Sequence, residues 1–272
     1  MKTIIVATDF SSAAKNAAEY AAAMALSLNA NLHLLHVYEI PVVYMEVPIA
    51  TTEADMAESS EELMKELKEG LMSKTGNKIK IDTGVKIGSF FSELEAVCES
   101  IEPYAVVMGS QGTTAAVRLL FGSHTVYAMK HLIWPLITVP QGAKFSAIRK
   151  IGLACDFDDV DSTIPVDEIK TLLWDFNAEL HVLNTGKHKQ FNPEIIFGSA
   201  RLRGKLKGVI IHDHFITNDD VDEGIMEFTE KNQIALLLVI PKRHDLLDKI
   251  IHRSHTKNLV LHSHVPVMAL HY

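Results

Sequence analysis

Cysteine is nearly missing from this chain. Cys98 and Cys155 are the two in 272 residues, too few for a disulfide framework, and both read as reduced, buried thiols in apolar surroundings. Positive charge is also short: 26 Lys and Arg stand against 34 Asp and Glu, for a net charge of −8. Residues 1–140 carry 10 basic and 16 acidic side chains, and residues 141–272 carry 16 and 18. Neither half is a basic module, which argues against nucleic acid as a general partner. No apolar run approaches the ~18 residues needed to span a bilayer, so no membrane partner is expected. The first residues enter a strand with no charged-then-apolar leader before it, and a cytoplasmic protein is expected. Several catalytic and phosphate-binding signatures are absent too: the Gly-Lys-Ser/Thr of a P-loop, the dinucleotide G-x-G-x-x-G, the G-x-S-x-G elbow and the His-x-Gly-His of adenylyl transfer. What remains, 47% hydrophobic and 22% charged residues, is ample for a globular core.

The apolar pattern alternates between strand and helix. Ile4–Thr8 is a short β-branched run closed by Asp9, as a buried parallel strand requires. Ser11 and Ser12 offer caps to an alanine-rich helix reaching about Leu28. Leu32–Val37 is a second strand, residues 39–52 a long connection with two prolines, and Thr52–Met72 a charged amphipathic helix. Lys78–Val85 predicts a third strand. Ser92-Glu-Leu-Glu95 matches a capping box for a helix that stops before Pro103. Tyr104–Met108 and Pro135–Val139 complete five strands. This is an α/β chain with a mostly parallel sheet.

The chain then repeats. Lys150–Phe157 matches the first strand and places Asp156 where Asp9 stood. Asn177–Leu183 matches Asn29–Leu35 at an offset of 148, and Ser254-His-Thr256 matches Ser123-His-Thr125 at an offset of 131. The sequence therefore predicts two tandem doubly wound domains, residues 1–140 and 147–272, with Gln141–Ser146 between them.

Between the fourth strand and the next helix lies Gly109-x2-Gly112-x9-Gly122-Ser123-His124-Thr125. Glycine lets backbone approach a ligand with no Cβ in the way. Ser123 is positioned to cap the following helix, whose free N–H groups suit a phosphate. The stretch reads as a nucleotide-phosphate cradle; a glycine turn with a capped helix that binds nothing is the alternative. Asp9 and Asp156 are single carboxylates, not a paired acid and base.

Taken together, the strand ending in Asp9, the His36-Val37 pair and the G-x2-G-x9-G-S pattern resemble the universal stress proteins in their tandem two-domain form, over nearly the whole chain. The resemblance implies, in each domain, a five-stranded parallel sheet of order 3-2-1-4-5 with helices on both faces, a Rossmann-like arrangement. It implies ATP, with Mg²⁺, as ligand. Val37 would offer its backbone to the adenine and Asp9 would meet the adenine or ribose edge. Met108 and Gly109 would lie along the ribose, and Gly112, Gly122, Ser123, His124 and Thr125 would hold the phosphates. Arg118 is the nearest candidate for charge neutralisation, with a solvated surface role as its alternative. The family further implies that the two domains pack as an intramolecular pseudo-dimer through their fifth strands; whether the chain self-associates beyond that is left open.

The second copy departs from the pattern. Gly109, Gly112 and Gly122 become Ile240, Arg243 and Arg253, and a β-branched residue in a left-handed position would cost about 1–2 kcal/mol. Nucleotide is therefore expected in the first domain only. Ten of the fourteen histidines lie in the second half. His212 and His214 share a strand face, with Cys155, Asp156 or His255 as conceivable third ligands, but no metal motif is complete and no metal is assigned. The function expected is that of an ATP-binding stress-response regulator with slow or absent hydrolysis. A non-nucleotide interaction module and a slow Mg²⁺-dependent ATPase are the alternatives.

Overall fold

The computed structural model describes residues 1–39, 53–110, 124–157, 159–185, 193–241 and 255–271. Its first half contains β1 (Thr3–Ala7), α1 (Ser12–Leu28), β2 (Asn31–Tyr38), α2 (Glu53–Lys74), β3 (Ile81–Ile87), α3 (Phe90–Ile101), β4 (Ala105–Gly109), α4 (described over 124–131) and β5 (Leu136–Val139). The second half contains β6 (Lys150–Ala154), α5 (Val160–Thr163), α6 (Val166–Phe176), β7 (Glu179–Thr185), α7 (Pro193–Lys205), β8 (Ile211–Ile216), α8 (Val221–Lys231), β9 (Leu236–Val239), α9 (His255–His262) and β10 (Val267–Ala269).

All ten strands form one sheet, in the order β3-β2-β1-β4-β5-β10-β9-β6-β7-β8. Each half runs 3-2-1-4-5 with parallel neighbours, as expected, and the halves meet where β5 pairs antiparallel with β10. The Thr138 hydroxyl adds a bond to the Val267 carbonyl across that seam, at 3.2 Å. Central strands such as β1, β4 and β9 are buried over all but a terminal residue at most, because helices cover both faces, which is why they read as unbroken apolar runs.

Alanine decides how closely α1 approaches the sheet. Ala13, Ala14, Ala17, Ala18, Ala21 and Ala25 are all buried. Ser11 is the cap, its hydroxyl accepting from the Ala14 N–H at 3.2 Å, and Asn29 closes the helix in the left-handed conformation. The α1 side chain Asn16 donates to the carbonyls of Pro140 and Ala143, both at 3.2 Å, and so holds the start of the inter-half linker.

The capping box at Ser92–Glu95 falls near the start of α3, as expected, and the helix begins two residues before it at Phe90, with Ser89 extended ahead. Phe90 and Phe91 pack on the apolar cluster under this face of the sheet, and that packing draws the helix two residues back from the polar signal. Also, β3 begins at Ile81 and not at Lys78. A turn ending α2 takes up Gly76 and Asn77, both at positive φ, and bonds the Lys78 N–H to the Thr75 carbonyl.

Candidate functional site

Where the connections of a doubly wound sheet diverge to its two faces, the carboxyl ends of the central strands open into a crevice. Here it lies between β1 and β4. Ala7, Thr8, Asp9, Ser11, Ala14, Met108 and Gly109 line a small, open cleft there. The turn after β1 shapes its floor. Phe10 has a φ of 61°, and its N–H donates to the Thr8 hydroxyl at 3.0 Å while the Ser11 N–H donates to Asp9 Oδ1 at 3.1 Å. A left-handed residue with a side chain costs about 1–2 kcal/mol. The two side-chain acceptors and the Phe10 ring, 4.5 Å from the His36 ring, hold it in place. His36 in turn bonds the Thr8 carbonyl through Nδ1 at 2.8 Å.

Val37 has its backbone turned to the same opening. In a strand, alternate residues direct both backbone polar groups to the same neighbour. The Leu35 carbonyl accepts from the Thr8 N–H at 2.9 Å, on the β1 side. Val37, two residues on, turns the same way, where β1 has already left the sheet. On the other wall, the Thr125 hydroxyl, fully buried, donates to the Gly109 carbonyl at 3.4 Å and brings α4 to the end of β4. His124 stacks on Phe90 at 5.1 Å and meets Phe91 edge-on at 5.2 Å. Partial burial lowers its pKa, with the Glu39 carboxylate acting in the opposite direction. A neutral ring near pH 7 follows, which supplies a polar edge but no positive charge.

The structure thus brings Asp9, Met108 and Gly109 into one cleft and places Val37, His124 and Thr125 around the ends of β2, α4 and β4. Gly112, Arg118, Gly122 and Ser123 lie outside the described residues, as do Arg243 and Arg253. Gly109 itself requires a correction. It does not have a left-handed φ; it is the last residue of β4. A Cβ there would stand 3.0 Å from the backbone carbon and oxygen of Ala13. Glycine is needed because α1 starts so close to β4.

The second half keeps the turn and loses the close approach. Phe157 has a φ of 63°, and its N–H donates to Cys155 Sγ at 3.4 Å, as Phe10 does to Thr8. Asn184 donates to the Cys155 carbonyl at 2.9 Å, in the place of His36. Ile240 stands where Gly109 stood, packed partly on the core. The helix that should abut it is split into α5 and α6, with Ile164 and Pro165 between them. An isoleucine at the strand end and an unbroken helix start 3.0 Å away exclude each other. Near α9, His255 Nδ1 lies 2.7 Å from Asp222 Oδ1, and Asn258 donates to Asp222 Oδ2 at 2.7 Å. Asp222 occupies the position that Phe91 has in the first half, by the offset of 131 between the copies.

Sequence reasoning missed Thr8, Ser11, Ala14 and Phe10. The repeat carried a signal for them, since Phe10 and Phe157 recur at the same place as Asp9 and Asp156. Two of the conceivable third ligands for His212 and His214 lie away from them. Cys155 and Asp156 follow the carboxyl end of β6, whereas His212 lies at the amino end of β8, two parallel strands away. The side chains beside His212 are His181 and Glu179 of β7.

This fold, with its crevice at the switch point of the strand order, defines a doubly wound α/β protein. The Universal stress protein family matches residues 1–140 and 199–271, and the chain belongs to that family. A universal stress protein from Archaeoglobus fulgidus DSM 4304 has a similar structure, with a TM-score of 0.73 at 17% identity over 99% of this chain and 96% of that one. A Pseudomonas aeruginosa UCBPP-PA14 protein assigned to the same family gives 0.62 at 13% identity, over 100% and 93%. A universal stress protein in complex with cAMP gives 0.41 at 20% identity, over 52% of this chain and 98% of its own. No curated protein matches the chain. No helix among the described residues is long and apolar enough to cross a membrane.

Proposed function

We propose that the chain is a regulatory adenine-nucleotide-binding protein that holds ATP, with Mg²⁺, in residues 1–140 alone. The observation that carries this reading is the cleft between β1 and β4, open in the first half and met in the second by Ile240 and a broken helix. The base would lie against the Val37 backbone, the ribose between Asp9 and the Met108-Gly109 strand end, and the phosphates before Gly112, Gly122, Ser123, His124 and Thr125. Residues 147–272 form the second domain of this reading, joined to the first as a pseudo-dimer across β5 and β10. The Asp9 carboxylate is engaged by the Ser11 N–H, and the His124 ring is stacked on an aromatic. Neither is disposed as a general base, so turnover should be slow or absent.

Calorimetric titration of ATP–Mg²⁺ into the full chain, stripped of bound nucleotide, tests the reading. One site per chain is expected, of micromolar affinity or about −8 kcal/mol, and lost in Gly122→Val. Two equivalent sites would refute the one-domain assignment. No heat and no melting shift would leave the glycines structural and favour an interaction module. Turnover well above background and abolished by Asp9→Ala would make the protein an ATPase.

A further inference from the structure

Outside the cleft, titratable side chains gather at the amino ends of β7 and β8. Residues two apart on a strand share a face, and His181 stands in register with His212. Glu179, His181, His212 and His214 therefore project from one face. His181 and His214 stack with ring centroids 5.1 Å apart and planes 5° apart, and His181 Nδ1 lies 2.9 Å from His214 Nε2. His212 Nε2 is 3.0 Å from Glu179 Oε2, while His181 Nε2 is 3.9 Å from that same oxygen.

That last distance leaves His181 Nε2 without a hydrogen bond, on a residue only 7% exposed. Changing tautomer does not help. If His181 donates through Nδ1, its Nε2 lone pair faces a carboxylate. If His214 donates instead, the Nε2 proton points to an oxygen too distant to accept it. A buried polar atom so aimed calls for a partner that accepts electron pairs from nitrogen and oxygen together. We propose that Glu179 Oε2, His181 Nε2 and His212 Nε2 bind a divalent transition cation of the zinc class.

The geometry suits such an ion. The three donor atoms lie within 4.8 Å of one another, and a tetrahedral zinc site spaces its donors by about 3.3 Å, so small side-chain rotations close the set. Two imidazoles and a carboxylate match zinc and its neighbours better than calcium or magnesium, which take oxygen alone. The His181–His214 bond fixes the orientation of the ligating ring, as outer partners do in built metal sites. Glu179 and His212 are both about half exposed, giving the ion a path in and leaving a fourth position to water. Lys150, in register with Glu179, has its ammonium bonded to the Asn232 carbonyl at 3.2 Å. The same positions in the first half hold Asn31, His33, Asp82 and Gly84, which offer no such set. Glu179 and His181 also lie in the segment that the family match leaves out.

The test is titration of Zn²⁺ into the tag-free full chain after chelator treatment, against a competing chromophoric chelator. One tight equivalent per chain is expected, with Co²⁺ in its place giving the strong visible bands of a four-coordinate ion. His212→Ala and Glu179→Gln alter exposed side chains, so both should fold, which circular dichroism checks. Each should lower zinc affinity by at least about tenfold, and His262→Ala should not change it. The absence of a tight equivalent, its survival in His212→Ala, or its loss in His262→Ala would each overturn the proposal.

Discussion

Gly109 is small because a neighbouring backbone occupies the space a side chain would take. With a Cβ 3.0 Å from the Ala13 carbonyl carbon and oxygen, Gly109→Ala must shift the start of α1 away from β4. A loss of about 1–3 kcal/mol is expected, measurable as a lower urea midpoint without nucleotide present. An unchanged midpoint would mean that α1 shifts freely. His124 makes a second prediction at this scale. Burial holds its folded pKa below the ordinary 6.5. Between that lowered value and 6.5, the unfolded chain takes up a proton that the folded chain refuses. Stability should therefore be fully present above pH 6.5 and decline as pH falls through the window. His124→Phe, which keeps an aromatic against Phe90 and Phe91, should flatten the urea midpoint's dependence between about pH 5 and 7. An equally steep dependence in the variant would clear His124 of the effect.

Among the elements, α8 and α9 are tied through one carboxylate. Asp222 is 3% exposed and accepts from both His255 and Asn258 of α9. Asp222→Ala removes both bonds, and with His255 exposed enough to turn to water it should cost about 1–2 kcal/mol. Hydrogen exchange should show α9 loosening more than β9; uniform loss across both would mean that the pair does not join the helices. Elements were the scale at which the sequence was most legible, because burial on both faces leaves runs such as Ile4–Ala7 and Leu236–Val239 uniformly apolar. The repeat carried the topology of the second half along with that of the first. Helix starts were less legible. The Ser92–Glu95 pattern marked the start of α3 to within two residues, and two phenylalanines reaching the core set the start itself. Least legible was the histidine cluster: Glu179 and His181 are some thirty residues from His212, and only the register of β7 on β8 brings them together. The reason for Gly109 was hidden likewise, since a clash with Ala13 exists only once α1 lies on β4.

At the scale of the molecule, a single antiparallel pairing covers both inner edges of the sheet. Residues 1–140 made alone would expose β5, an apolar strand with an unpaired row of backbone groups, and such an edge recruits another. The fragment should sediment as a dimer; a monomeric wild-type fragment would show that the seam is not self-sufficient. The Lys2 ammonium, paired with the Asp175 carboxylate, adds a second tie between the halves beside the linker. Antiparallel pairing is the relation that two identical subunits adopt about a two-fold axis. In a pair of separate chains each change of residue arrives twice, so neither partner can surrender a site without the other. Here both partners share one chain, and each change arrives once. Gly109 can stand on one side of the seam with Ile240 on the other, and a histidine cluster can occupy β7 and β8 with no counterpart at β2 and β3. Joined end to end, the copies became free to differ.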